Sequence, residues 1–207
     1  MYLVDIDTNI RAMKEELERI LAQREKRYIN DTSRVSSAVM IPLYQKQGQY
    51  YIVFIKRTET VKDHKGQISF PGGGRDANDR TLLHTAVRES REEIGLRSKD
   101  IEVIGELDDE ITTTSNYIVT PFVAVIPWPY RFRKNEDEVA EIMEAPIAAL
   151  LEKDKLSEGS EILNGQPIKS YTYNYEGKVI WGATARILKK LLDIIEKINR
   201  EQKPNIG

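Results

Sequence analysis

Phe70-Pro71-Gly72-Gly73-Gly74, followed by Arg88-Glu89-Ser90-Arg91-Glu92-Glu93-Ile94-Gly95-Leu96, is the stretch that organises the rest of the chain. Three consecutive glycines continue neither a helix nor a strand comfortably, and they let the backbone turn tightly or approach a ligand. Behind them the pattern predicts a helix from about Arg80 to Ile94, with Asp79 at the N-cap and Gly95 at the C-terminal stop. Each helical residue advances by ~100°, so Glu89, Glu92 and Glu93 fall within roughly one ~100° arc. Leu83, Ala86, Val87, Ser90 and Ile94 occupy the neighbouring arc, which would pack on a sheet. The carboxylates therefore belong at the edge of whatever cleft the helix borders. Like charges at these spacings destabilise a helix by ~0.2–0.5 kcal/mol per pair. Clustered hard oxygen ligands suit Mg²⁺ or Mn²⁺, which would relieve the repulsion. Taken alone, Glu-x-x-Glu-Glu is more often a solvated helix face. Glycines on both sides turn the balance towards chemistry.

Upstream, SSAVMIPLYQ and YYIVFIKRT read as strands joined by a hairpin turn at Lys46-Gln47-Gly48-Gln49. Residues 8–29 read as an amphipathic helix that Thr8 can cap, with Ile10, Met13, Leu17, Ile20 and Leu21 at helical spacing. Downstream strands are expected at Ile101–Leu107 and Tyr117–Ile126, and at Ser170–Tyr175 paired with Lys178–Trp181. Residues 135–154 read as a short helix mixed with turns. A last helix, about 182–201, carries Ile187, Leu188, Leu191, Leu192, Ile194, Ile195 and Ile198. Its apolar breadth should dock on the body or on a second subunit, which allows a homodimer. Tyr171, Tyr173 and Tyr175 alternate along a strand and suit core or interface packing. Strands mixed with flanking helices imply an α/β layered domain.

The 207 residues, 40% hydrophobic and 31% charged, are those of an ordinary globular chain. No apolar run approaches the ~18 residues of a spanning helix, and no secretory leader is read at the N-terminus. Without cysteine there are no disulfides, thiolate metal sites or cysteine nucleophile, and a cytoplasmic location is the default. A net charge of −2 argues against a general nucleic-acid binder.

Arg88-Glu89-Ser90-Arg91-Glu92-Glu93-Ile94-Gly95-Leu96 resembles the second half of the Nudix box, G-x5-E-x7-R-E-U-x-E-E-x-G-U, with Ser90 at the first apolar position. In the first half, the glutamate position falls on Arg80, whereas an acid, Asp79, stands one residue earlier. That offset resembles the coenzyme A pyrophosphatase branch of the family. So does the upstream run from Ile55 to Gly73, in which Arg57, His64, Gly66 and Phe70-Pro71-Gly72-Gly73 match, Lys62 replaces an arginine, and Asp76 and Asp79 follow. Asn135-x-x-Glu138-Val139 and Ile180–Ala185 also resemble that branch.

The resemblance implies a Nudix-type α/β/α sandwich with a mixed sheet, as one domain over 1–207: an N-terminal helix (8–29), a core (35–155) and a terminal hairpin and helix (170–201). It implies that Glu89, Glu92 and Glu93 ligate Mg²⁺ or Mn²⁺ and that Arg88 orients the acids, with Asp79 available as its partner. Either Glu89 or Glu138 would take the proton of the attacking water. Arg57 and Lys62 would meet a 3′-phosphate, and His64 a phosphate or acyl-pantetheine group, while Gly72 and Gly73 shape the loop. The implied reaction cleaves coenzyme A or an acyl derivative to 3′,5′-ADP and a 4′-phosphopantetheine product. The alternative substrates are ADP-ribose, dinucleoside polyphosphates, NADH or modified nucleoside triphosphates. A nucleotide-binding regulator without catalysis is disfavoured, since all three carboxylates are present. The expected partner is a small nucleotide, with neither nucleic acid nor membrane.

Overall fold

The computed structural model describes residues 6–59, 66–163 and 165–201, the first seven of these by backbone alone. Lys62 and His64 lie outside the described residues. The chain runs α1 (Ile6–Gln23), β1 (Val35–Lys46), β2 (Gln49–Arg57), β3 (Ile68–Ser69), β4 (Gly72–Gly74), α2 (Leu82–Ile94), β5 (Glu102–Glu106) and β6 (Glu110–Ile111). It continues through β7 (Tyr117–Val125), β8 (Val139–Pro146), α3 (Ile147–Leu150), β9 (Leu156–Leu163), β10 (Gln166–Tyr175), β11 (Lys178–Ile180) and α4 (Gly182–Glu201).

β1 and β2 form the predicted hairpin, its turn taken by Gln47 and Gly48 at positive φ. β1 pairs in parallel with β7 from Val35 to Leu43, while the other ladders of the sheet are antiparallel, so the sheet is mixed. Its spine is β3-β2-β1-β7-β5, with β4 on β1, β6 on β7 and β8 on β2. A second sheet, β11-β10-β9, is antiparallel.

Alternation along the strands sorts side chains to two faces. Ile41, Leu43, Ile52, Phe54 and Val123 share one core with Met13, Leu17 and Leu21 of α1 and Leu188, Leu191 and Ile195 of α4. Ala38, Met40, Phe122 and Ala124 pack with Ala86 of α2, flanked by Leu82, Leu83 and Val87. The result is the expected α/β/α sandwich. The apolar stripe of α4 is taken up by this chain's own core, and so is Tyr173, with Tyr171 and Tyr175 packed beside it.

Several elements differ from expectation. Helix α1 begins at Ile6 and ends at Gln23, so Thr8 lies inside it and residues up to 29 leave it. The carboxylates of Asp108 and Asp109 accept the backbone N–H groups of Arg27 and Ile29, each at 3.0 Å, which holds that segment off the helical path. The triple glycine does form a short strand, antiparallel to Ser37–Val39. Bare backbone is what fits there, because a Cβ on Gly72 would lie 2.3 Å from the Ala38 carbonyl oxygen. The cap of α2 is Thr81, whose hydroxyl accepts from His84 N at 3.2 Å; Asp79 is turned to other partners. Gly95 closes the helix in the left-handed conformation, as expected. Residues 139–146 are a strand against β2, with only Ile147–Leu150 helical. Pairing with a buried neighbour overrides the helix-favouring Ala and Glu composition of that run. β9 carried no apolar alternation, and it extends the hairpin back from Ser170.

Candidate active site

The site is built where α2 crosses the glycine strand. A side chain on Gly73 would put its Cβ 2.6 Å from Glu89 Oε1, so the missing side chain is what lets helix and strand approach so closely. Glu93, one of the most buried polar residues at 1% exposure, accepts from the Gly72 N–H at 2.9 Å and from Arg57 Nη1 at 3.1 Å. Burial pushes its carboxyl up to about 8 against the pull of these two donors, and the charges of Glu89 and Glu138 add to the rise. Glu89, largely buried, is also raised, first by desolvation and then by Glu92 and Glu138, with Arg88 opposing. Glu92 reaches solvent. The predicted arc is therefore split, with Glu93 inside, Glu89 at the edge and Glu92 outside.

Arg88 links these acids to the loop. It donates to Glu89 at 2.8 Å, to Glu92 at 3.0 Å, to the Gly74 carbonyl at 3.1 Å and to Asp79 at 2.9 Å. Asp79 is buried and also accepts from the Asp76 N–H. The Arg88 guanidinium holds the Asp79 carboxyl down at about 2. The acid one residue ahead of the box position is thus the anchor of the box arginine. Ser90, at a position where the box has an apolar residue, is fully buried and satisfies its hydroxyl on the Ala86 carbonyl at 2.7 Å.

Glu138 enters from the turn before β8, where its carbonyl accepts from Thr58 N at 2.9 Å. Its charge acts on both Glu89 and Glu93, so the chain brings it to the helix acids across a long separation. Arg57 is committed to Glu93 rather than standing free in a loop.

Among the described residues, no three acidic or histidine side chains converge closely enough to enclose an ion. Arg88 spans Glu89 and Glu92, and Glu93 faces Arg57 and Gly72. The donor set still fits a hard cation chemically. It is all carboxylate oxygen, and the acids raise one another's affinity for protons, a repulsion that a divalent ion would remove.

A cavity of about 340 Å³ opens beside Glu89 and Gly72–Gly74. Arg57 and Ser69 line one side of it. Thr112–Thr114 and Trp181–Thr184 contribute lining residues that sequence reasoning had not assigned to the site. Nothing in the local pattern of the three threonines marks them. The Ile180–Ala185 run was noted for its resemblance alone, without a role.

A model of the NUDIX domain matches residues 34–164. The chain is 31% identical over 168 residues to the protein named uncharacterized Nudix hydrolase NudL from Photorhabdus laumondii subsp. laumondii, covering 81% of this chain and 88% of that one. It is 30% identical over 186 residues to the protein of the same name from Salmonella newport, covering 90% and 96%. Among solved structures it is similar to a MutT/nudix family protein from Enterococcus faecalis, with a TM-score of 0.55 and 12% identity over 100% of this chain and 79% of that one. That last likeness is one of fold.

Proposed function

Since this chain belongs to the Nudix family and is a pyrophosphatase-type hydrolase, we propose that it cleaves the phosphoric anhydride of coenzyme A or its acyl derivatives, giving 3′,5′-ADP and a 4′-phosphopantetheine product. Anhydride cleavage is carried by one observation: Glu89 of the box, with the other box acids beside it on α2, lines a cavity together with the bare backbone of Gly72–Gly74. The coenzyme A assignment draws its support from the Arg57–Gly73 run.

Hydrolases of this family generally need divalent metal ions. In this proposal Glu89, Glu92 and Glu93 hold Mg²⁺ or Mn²⁺, which supplies charge neutralisation and polarisation of the phosphoryl oxygen. Glu89, with Glu138 as the alternative, accepts the proton of the attacking water. Desolvation makes Glu89 a stronger base than an ordinary carboxylate. Arg88 fixes the direction of Glu89 through its ties to Asp79 and Gly74. The Gly72 N–H and Arg57 hold Glu93. Gly72 and Gly73 leave room for the diphosphate, while Lys62 and His64 meet the 3′-phosphate or the pantetheine arm. The chain acts as one domain over 1–207, on a small nucleotide in the cytoplasm, either alone or as a homodimer.

Arg57's engagement with Glu93 favours a second reading, in which no 3′-phosphate is read and the substrate is ADP-ribose, a dinucleoside polyphosphate, NADH or a modified nucleoside triphosphate. Turnover of coenzyme A against dephospho-coenzyme A, with Mg²⁺ and with Mn²⁺, separates the two. A clear preference for coenzyme A is expected, and equal rates would sink the 3′-phosphate assignment. Glu92→Gln should lower kcat by about 10²–10³-fold, comparable to losing a key electrostatic group. Unchanged turnover in that variant would remove Glu92 from the metal set.

A further inference from the structure

We infer that the side of the cavity formed by Trp181–Thr184 and Thr112–Thr114 receives the uncharged group joined to the diphosphate, and thereby selects the substrate. This rests on the cavity being the substrate site, as proposed above. Among the described lining residues, the charged side chains are Arg57 and Glu89, contributed by β2 and α2. The start of α4 and the threonine loop add apolar groups and hydroxyls and no charge at all. With the Trp181 ring at its head, that lining suits a ring or a neutral chain. Trp181 keeps 39% of its surface exposed, an aromatic side chain open at the edge of the cavity.

The wall is also fixed in place. Arg186, 5% exposed, donates to Glu110 at 3.0 Å, to the Ile111 carbonyl at 2.7 Å and to Glu161 at 3.3 Å. Glu161 in turn accepts from the Thr113 hydroxyl at 2.8 Å. One buried guanidinium therefore ties the first turns of α4 to the threonine loop, holding the two halves of the wall at a set spacing. On the β2–β3 side of the cavity, Arg57 Nε and the Ser69 hydroxyl are buried without a partner. Buried polar atoms are seldom left unpaired, and these two add to the polar character of that side. The cavity is thus sorted into a polar side for the diphosphate and a neutral side for what the diphosphate carries. Trp181–Thr184 lie beyond the stretch matched by the NUDIX domain, at the entry to α4.

The uncharged group has two sources, the nucleobase and the non-nucleotide arm, and the test distinguishes them. Steady-state kinetics of the full chain would be measured for Trp181→Ala, Ala183→Lys and Ala183→Glu with coenzyme A and ADP-ribose. Trp181→Ala is expected to raise KM about tenfold with kcat within about twofold, the scale of one lost aromatic contact. Both charged substitutions at Ala183 should raise KM as well. A rise confined to coenzyme A assigns the wall to the arm, and an equal rise for both substrates assigns it to the base; either supports the inference. Trp181 can also be observed directly. The chain has two tryptophans, so Trp128→Phe leaves Trp181 as the sole reporter while keeping a ring stacked on Tyr44. Its fluorescence should change when coenzyme A or ADP-ribose is added in the presence of chelator. An unaltered KM in Trp181→Ala, or a lower KM in Ala183→Lys, overturns the inference. If coenzyme A is not turned over but ADP-ribose is, the substrate proposal fails while the wall is still tested on ADP-ribose.

Discussion

Gly72 and Gly73 are neighbours with different duties, because their absent side chains face different atoms. A Cβ on Gly72 would meet the backbone of Ala38 and Val39, which cannot move without disturbing β1. A Cβ on Gly73 would meet the carboxylate of Glu89, the far end of a side chain that can swing away. Gly73→Ala should therefore fold with a stability change below about 1 kcal/mol and lose about 10²-fold in kcat, since Glu89 would be displaced by an ångström or more. Gly72→Ala should lower the thermal midpoint itself. Circular dichroism melts beside steady-state rates tell the two apart. Asp79 offers a second test at this scale. Its carboxyl sits at about 2 when folded against an ordinary value of 3.8, so the folded form holds its proton less tightly than the unfolded one. The resulting stabilisation, about 2 kcal/mol, is complete above the unfolded value and lost as pH falls from about 4 through 2. Denaturant midpoints of wild type and Asp79→Asn should differ at neutral pH and converge in that window. A constant difference down to pH 2 would remove Arg88 as the cause.

Helices α2 and α4 contribute by opposite means. α2 brings chemistry to the cavity on one edge while its apolar edge is anchored on the sheet. α4 gives almost its whole apolar stripe to the core and reaches the cavity with its first turn and Ile187. That turn depends on Arg186. Replacing one member of a buried ion network leaves its partners uncompensated, at a cost of about 3–5 kcal/mol. Arg186→Met should accordingly destabilise the protein by that order, read as a drop in urea midpoint, while Arg186→Lys recovers part of it. A loss below about 1 kcal/mol would show that Glu110 and Glu161 are satisfied without it.

For the molecule as a whole, the matched stretch 34–164 is not expected to fold alone. One face of its sheet is covered by α1 and α4, both outside it. A fragment ending before residue 182 would expose the face on which Leu188, Leu191, Leu192 and Ile195 pack, several side chains each contributing about 1.5–3 kcal/mol on burial. Together that is comparable to the whole ~5–15 kcal/mol margin of a typical domain, and α1 loses its partner as well. Such a fragment is expected to show no cooperative melt by calorimetry. A sharp transition would mean that the terminal helix is an appendage. No helix among the described residues is long and apolar enough to cross a membrane. The buried apolar residues of both terminal helices pack into the shared core.

The sequence by itself determined the α2 helix and its glycine stop, the β1–β2 hairpin, the amphipathic terminal helix and the identity of the acids, because local periodicity and short motifs carry each of these. The resemblance made Asp79 available as a partner for Arg88, and the structure forms that pair. Only the tertiary structure decided that Gly72–Gly74 is a strand, that 139–146 pairs with β2, and that Glu93 is buried while Glu92 is not. Each of these depends on which surface arrives from far along the chain. The same is true of the cavity wall. Thr113, Glu161 and Arg186 are distant in sequence, with no shared pattern, and they meet because folding leaves one buried guanidinium that must find acceptors.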